Sequence, residues 1–345
     1  MPGFESIIGQ DRPIRILTTF LQKGTVPHAL LFTGIEGVGK ENAAVAFAKA
    51  CNCEREISGH DSERGTTRVK KSLNTIRQPI TVNPCGRCKS CRKIESDHHP
   101  DVIRIKPSGP FIRIDQIRTL CQTLAMKPYE ARTRVVIISD AQAMNPAAGN
   151  ALLKMLEEPP VRTILILLAT QTADLLPTIV SRCQHIRFNP ISRKSLSAEL
   201  VRAHGLEPAK AMIIATLADG SFTRALNLYR KDWISRRNWL VKELDSLPAA
   251  STGRLLAFGE KLAQNKDALP EAFDVMASWF HDLIMAKFCP DKIINQDLAQ
   301  TVRQSSQKIS LDTLFLKIDA IQSTRNAIQA GTNLRLAMEA MLLKL

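Results

Sequence analysis

The sequence has 345 residues, too many for one ordinary domain and enough for two or three that each bury a core. Its 47 Lys and Arg against 33 Asp and Glu leave a net charge of +14, which suits a polyanionic partner such as nucleic acid and says nothing about the fold. No basic-then-apolar leader opens it and no stretch approaches the roughly 18 apolar residues of a membrane span, so a soluble cytoplasmic chain with no membrane partner is expected, whose eight cysteines suit metal ligation better than disulfides.

The first strand-like run is His28 to Thr33 (HALLFT). It leads directly into Gly34-Ile-Glu-Gly-Val-Gly39-Lys40 and a helical run from Asn42 to Lys49. The segment fits GxxxxGK in the setting a phosphate loop requires. Gly34, Gly37 and Gly39 let backbone N–H groups curl around phosphate oxygens, the helix N-terminus adds its positive end, and Lys40 supplies a point charge. The next residue is Glu41, where the motif places a Ser or Thr hydroxyl on Mg²⁺. A carboxylate about 4 Å from a phosphate, at an effective dielectric of about 20, is repelled by on the order of 4 kcal/mol. Uncompensated, that is roughly three decades in affinity.

From Glu54 to Pro84 the chain is polar and aperiodic, the mark of an insertion. Arg64 to Lys93 carries nine Lys or Arg and no Asp or Glu, which fits a solvated loop or a nucleic-acid contact. Cys85, Cys88 and Cys91 follow in NPCGRCKSCRK. A tight turn eased by Gly86 can fold these three thiolates onto one ion, and a structural zinc site needs a fourth ligand. Cys51, Cys53, His98 and His99 compete for that place. An iron–sulfur cluster is the rival metal centre, but the cysteine it would require falls on Glu95. Structural Zn²⁺ is the expected cofactor.

Four further apolar runs, Val102 to Lys106, Val135 to Ser139, Thr163 to Thr170 and Gln184 to Phe188, alternate with helical patterns such as Ile114 to Met126 and Pro146 to Glu158. The alternation predicts a parallel α/β sheet. A hydrolysing site would follow Val135 to Ile138 with an Asp and then usually a Glu. Here the positions read Ser139 and Asp140. With Glu41, this predicts impaired binding of ATP or ADP and little or no hydrolysis. Glu157 and Glu158 end a helix ahead of Pro159 and Pro160, which gives them a structural or interface role rather than acid–base chemistry.

Beyond about residue 190 the strand-like runs stop. Leu311, Leu314, Ile318 and Ile321 form one helical stripe. Leu334, Ala337, Met338, Met341, Leu342 and Leu345 form another behind an Asn333 cap. Breaks at Asp219-Gly220, Leu247-Pro248 and Cys289-Pro290 complete a division into 1–190 with an insertion near 53–93, then 191–235, then 236–345.

Several stretches together resemble the bacterial DNA polymerase III clamp-loader subunits of the AAA+ class. They are Phe4 to Gln10 (FESIIGQ), HALLFTGIEGVGK, the cysteine group with His99-Pro100-Asp101, Asn150 to Pro160 (NALLKMLEEPP), Ser181-Arg182-Cys183 and the closing NLRLAMEAMLLKL. The resemblance implies a P-loop AAA+ α/β domain, a small helical lid and an all-α C-terminal collar. It also implies a place in a five-member ring that loads the sliding clamp onto primed DNA, beside the motor subunits and the delta subunit. It points to Cys53 as the fourth zinc ligand, with Cys51 in the core, and to Arg224 as the lid's nucleotide-sensing arginine. Arg182 acquires a role in trans as an arginine finger, worth about three to five decades in rate where such fingers are known. The plain alternative is a surface Arg paired with a carboxylate. The degenerate metal positions set the chain apart from the hydrolysing members. Two rival functions are an active AAA+ motor ATPase and a zinc-stabilised DNA-binding protein.

Overall fold

The computed structural model describes residues 3–55, 83–230, 233–246, 251–264 and 268–345. Most of the basic insertion, including Arg64, Arg68, Lys70, Lys71 and Arg77, lies outside the described residues. By contact the chain falls into two compact units. One is Met1–Leu196 with Asp219–Thr223, the other Ser197–Ala218 with Arg224–Leu345.

The first unit holds five parallel strands: β1 (Ala29–Thr33), β2 (Val102–Ile105), β3 (Arg134–Ile138), β4 (Thr163–Ala169) and β5 (Gln184–Arg187). All five coincide, to within one or two residues, with the apolar runs of the sequence. They lie in the order β2-β3-β4-β1-β5, with Leu30 opposite Ile166 on one side of β1 and opposite Gln184 on the other. Every residue of β1, β3 and β4 is buried, as continuous apolar strands covered on both faces must be. Successive side chains feed opposite layers. Leu30, Phe32, Val135, Ile137, Ile164 and Ile166 join one core, which also takes in residues of α1 (Asp11–Lys23) and α2 (Lys40–Asn52). Leu31, Val136, Ile138, Leu165 and Leu167 join the other, with residues of α4 (Ile114–Ala125) and α5 (Pro146–Glu157). The short helix α3 (Lys89–Glu95) precedes β2.

Helix limits follow local chemistry. Asn145 caps α5 by accepting the Ala148 N–H at 2.8 Å, Pro146 takes the first helical position and the Pro159-Pro160 pair bars continuation. The four-residue helix α6 (Pro177–Val180) lies between β4 and β5.

The second unit is helical. It includes α8 (Pro208–Leu217), α10 (Trp233–Ser246), α11 (Thr252–Ala263), α12 (Leu269–Phe288), α13 (Ala299–Lys308), α14 (Leu311–Gln329) and α15 (Leu334–Leu342), while α7 (Arg193–His204) and α9 (Phe222–Arg230) span the division. Asn333 caps α15 through the Leu336 N–H, and Leu314, Ile321, Met338, Met341 and Leu342 are buried as their spacing predicts. A polar network ties the core: Asp282 accepts the N–H groups of Ile294 and Asn295, each at 2.8 Å, and wholly buried Arg237 donates to Asn295 and Asp297. Among the described residues no helix is long and apolar enough to cross a membrane.

Candidate functional site

The loop after β1 emerges beside the centre of the sheet, with β4 and β5 flanking, at the carboxyl ends of parallel strands where such folds bind ligands. Gly34, Gly37 and Gly39 have φ of 150°, 78° and 96°. A Cβ on Gly34 would fall 2.5 Å from the Phe188 carbonyl oxygen, and one on Gly37 would fall 2.3 Å from Ser221 Oγ. The loop backbone is further fixed by the Phe222 N–H donating to the Gly37 carbonyl at 2.9 Å. These glycines are therefore demanded by the surrounding chain as well as by a phosphate cradle.

Lys40 folds back onto the loop, its Nζ donating to the carbonyls of Gly34 and, at 2.8 Å, Ile35. Burial pulls its pKa below the ordinary lysine value, against the opposing pull of Asp140 and Glu36. Glu41 does not stand alone. Its Oε1 lies 3.1 Å from Lys106 Nζ and 3.9 Å from a guanidinium nitrogen of Arg104 in β2, cations that offset its charge without supplying the missing hydroxyl. At the end of β3, Ser139 is buried and its Oγ has no hydrogen-bond partner among the described residues. Asp140 is exposed, with a left-handed φ of 50°. The loop thus has the glycines and lysine of GxxxxGK in place, with Glu41 directly after Lys40 and Ser139 at the end of β3.

Cys53, Cys85, Cys88 and Cys91 form a separate cluster whose Sγ atoms all lie within 4.8 Å of one another. Tetrahedral zinc with bonds of about 2.3 Å sets its sulfurs about 3.8 Å apart, so a small contraction closes the cage. Backbone N–H groups already point at the sulfurs: Cys85 to Cys53 Sγ at 3.4 Å, Cys88 to Cys85 Sγ at 3.3 Å and Cys91 to Cys88 Sγ at 3.4 Å. Burial pushes the Cys85 thiol up, but donors from Arg87 and Cys88 and the neighbouring thiols outweigh it and bring the value to about 6. Cys51 lies in the apolar core, where burial lifts its thiol to about 12. His99 is also elsewhere, its Nδ1 accepting the Asp101 N–H at 3.2 Å. The four cysteines can hold a metal ion.

Arg182 follows α6. One terminal nitrogen donates to the Thr178 carbonyl at 3.0 Å and the other to Glu157 Oε1 at 2.6 Å, and the side chain is exposed. Glu157 closes α5. Gly149 brings α5 close to the chain just before α6, since a Cβ there would meet Leu176 Cδ1 at 2.9 Å. Cys183 is half-buried, and that burial pushes its thiol up to about 12. Arg224 lies in the helical unit, 3.1 Å from Asp274, which also meets Arg325 at 3.2 Å. The sequence singled out Glu41, Arg182 and Glu157, but not the pairing of Arg182 with Glu157 or of Glu41 with Lys106 and Arg104, because only the sheet order and the α5–α6 packing bring those together.

The sequence matches two family models: "DNA polymerase III, delta subunit" over residues 9–75 and 66–192, and "DNA polymerase III, delta subunit, C terminal" over 231–345. It is 28% identical to the DNA polymerase III subunit delta′ of Bacillus subtilis, over 97% of this chain and 96% of that protein. It is also 28% identical to the subunit tau of the same organism over 99% of this chain, of which it spans 61% of the length. With the Escherichia coli tau subunit it shares 30% identity over 65% of this chain and 32% of that longer protein. A solved DNA polymerase III gamma subunit-related protein from Thermotoga maritima aligns at 18% identity over 96% of this chain and 97% of that one, with a TM-score of 0.45. Matched by family models in both its α/β and its helical parts, the chain belongs to the DNA polymerase III delta-subunit family of clamp-loader proteins.

Proposed function

We propose that the chain is a delta′-like subunit that hydrolyses little or no ATP itself and completes the ATP site of a neighbouring motor subunit with Arg182. The observation that carries this reading is the contrast between two places in one unit. The phosphate loop has lost both metal-holding positions, to Glu41 and Ser139, while Arg182 stands exposed with donors to spare. A planar guanidinium matches phosphate oxygens better than an ammonium can. Presented across a subunit boundary, it stabilises the charge that gathers on a transferring γ-phosphoryl group.

In this reading Cys53, Cys85, Cys88 and Cys91 hold a structural zinc. Four protein ligands leave no open coordination position, so the ion supplies folding energy and no chemistry. Residues 1–190 form the AAA+ domain, 191–235 the lid with Arg224, and 236–345 the collar. The partners are the motor and delta subunits, the sliding clamp and primed DNA.

The test is DNA- and clamp-stimulated hydrolysis by a loader reconstituted with wild type or Arg182→Ala. The expected loss at the completed site is about three decades. Normal assembly with undiminished hydrolysis would rule the reading out.

A further inference from the structure

We infer that Glu157 is a positioning residue for Arg182, holding the guanidinium in the orientation from which it engages the neighbour's phosphate. The inference rests on the finger reading of Arg182. Glu157 is the last residue of α5 and is followed by a second acid, Glu158. Carboxylates at a helix C-terminus oppose the helix dipole and repel each other, so two acids there cost stability locally and call for a compensating cation. Arg182 is that cation, at 2.6 Å from Glu157 Oε1.

The geometry leaves the finger usable. A guanidinium has five N–H donors, and among the described residues one from each terminal nitrogen is engaged, by the Thr178 carbonyl and by Glu157. Nε–H and a second hydrogen on each terminal nitrogen remain for phosphate oxygens. The two anchors come from different segments, α5 and α6, and together fix the plane of the group as one anchor could not. Without Glu157 only the Thr178 anchor remains, and the productive rotamer is populated less often.

The experiment compares loaders reconstituted with motor subunits, sliding clamp and primed DNA, each assembly checked by size exclusion. Wild type, Glu157→Ala, Glu157→Gln, Arg182→Ala and the double variant are assayed for stimulated ATP hydrolysis. Glu157→Ala is expected to lower kcat about two- to fivefold, the range of a single exposed ion pair, with KM for ATP unchanged. Glu157→Gln, whose amide oxygen still accepts, recovers part of that loss, and it carries the test if the alanine variant does not assemble. The double variant is expected to match Arg182→Ala alone, because the two residues act through one group. Wild-type or faster turnover in Glu157→Ala, or losses that simply add, would overturn the positioning role while leaving the finger in place. If Arg182→Ala itself hydrolyses normally, the finger reading fails instead.

Discussion

Glu41 lies 3.1 Å from Lys106, so the charge that would repel a phosphate is partly offset by a lysine just past the end of β2. In the proposed reading the loop lacks the hydroxyl ligand of the metal more than it lacks a balance of charge. Glu41→Thr is therefore expected to raise affinity for Mg²⁺-nucleotide, measured by titration calorimetry, while hydrolysis stays at background because Ser139 offers no carboxylate. Hydrolysis gained by that single change would contradict this account. The sequence alone shows that Glu41 follows Lys40 and that Ser139 precedes Asp140 at the end of β3. The pairing with Lys106 and Arg104 was not readable there, because it depends on β2 lying where it does beside α2. Asp101 was likewise opaque: the sequence offered it only within the His99-Pro100-Asp101 run that carries the family resemblance. In the fold its buried carboxylate accepts the N–H groups of Tyr129, Glu130 and Ala131 at 2.9, 2.7 and 2.8 Å. Burial pushes its pKa up, but those three donors and Arg134 outweigh it and the value ends below the usual one. Its contribution is thus fully present above the unfolded value of about 3.9 and fades as pH falls through the lower folded one. Asp101→Asn should cost about 3 kcal/mol at neutral pH. The gap between variant and wild type, followed by melting at matched pH, should narrow towards pH 3; a constant gap would assign the effect to packing.

At the scale of elements, the runs of Val, Ile and Leu disclosed all five strands, because a strand buried on both faces has no other composition open to it. The helix α3 was hidden. Its seven residues sit in a basic, cysteine-bearing stretch with no periodicity, and its cap is a sulfur: Cys88 Sγ accepts the Cys91 N–H. Cys88 thus both starts the helix and belongs to the cluster. A metal held there would couple its binding to local folding. One zinc per chain is expected by elemental analysis. Cys85→Ser should abolish it and lower Tm by about 4–8 °C, equivalent to roughly 2 kcal/mol in a unit of this size. Full thermal stability in a metal-free Cys85→Ser variant would remove the structural role from the site.

For the whole molecule, the α/β and helical parts each carry their own core, and the family match extends over both. The sheet order places the loop, and the α5–α6 packing places the arginine, in the same unit. In the proposed reading only the arginine keeps a catalytic role, because Glu41 and Ser139 occupy the metal positions of the loop's motif. The sequence carried both halves of that contrast, in Glu41 with Ser139 and in the Ser181-Arg182-Cys183 run. It could not carry the anchoring of Arg182, which arises where two helix ends meet. The division of labour is tested most directly by comparing Lys40→Ala with Arg182→Ala in otherwise identical reconstituted loaders, measuring hydrolysis stimulated by clamp and primed DNA. The account predicts that Lys40→Ala leaves the rate unchanged and Arg182→Ala reduces it by about three decades at the completed site. Loss of activity with Lys40→Ala and none with Arg182→Ala would contradict it.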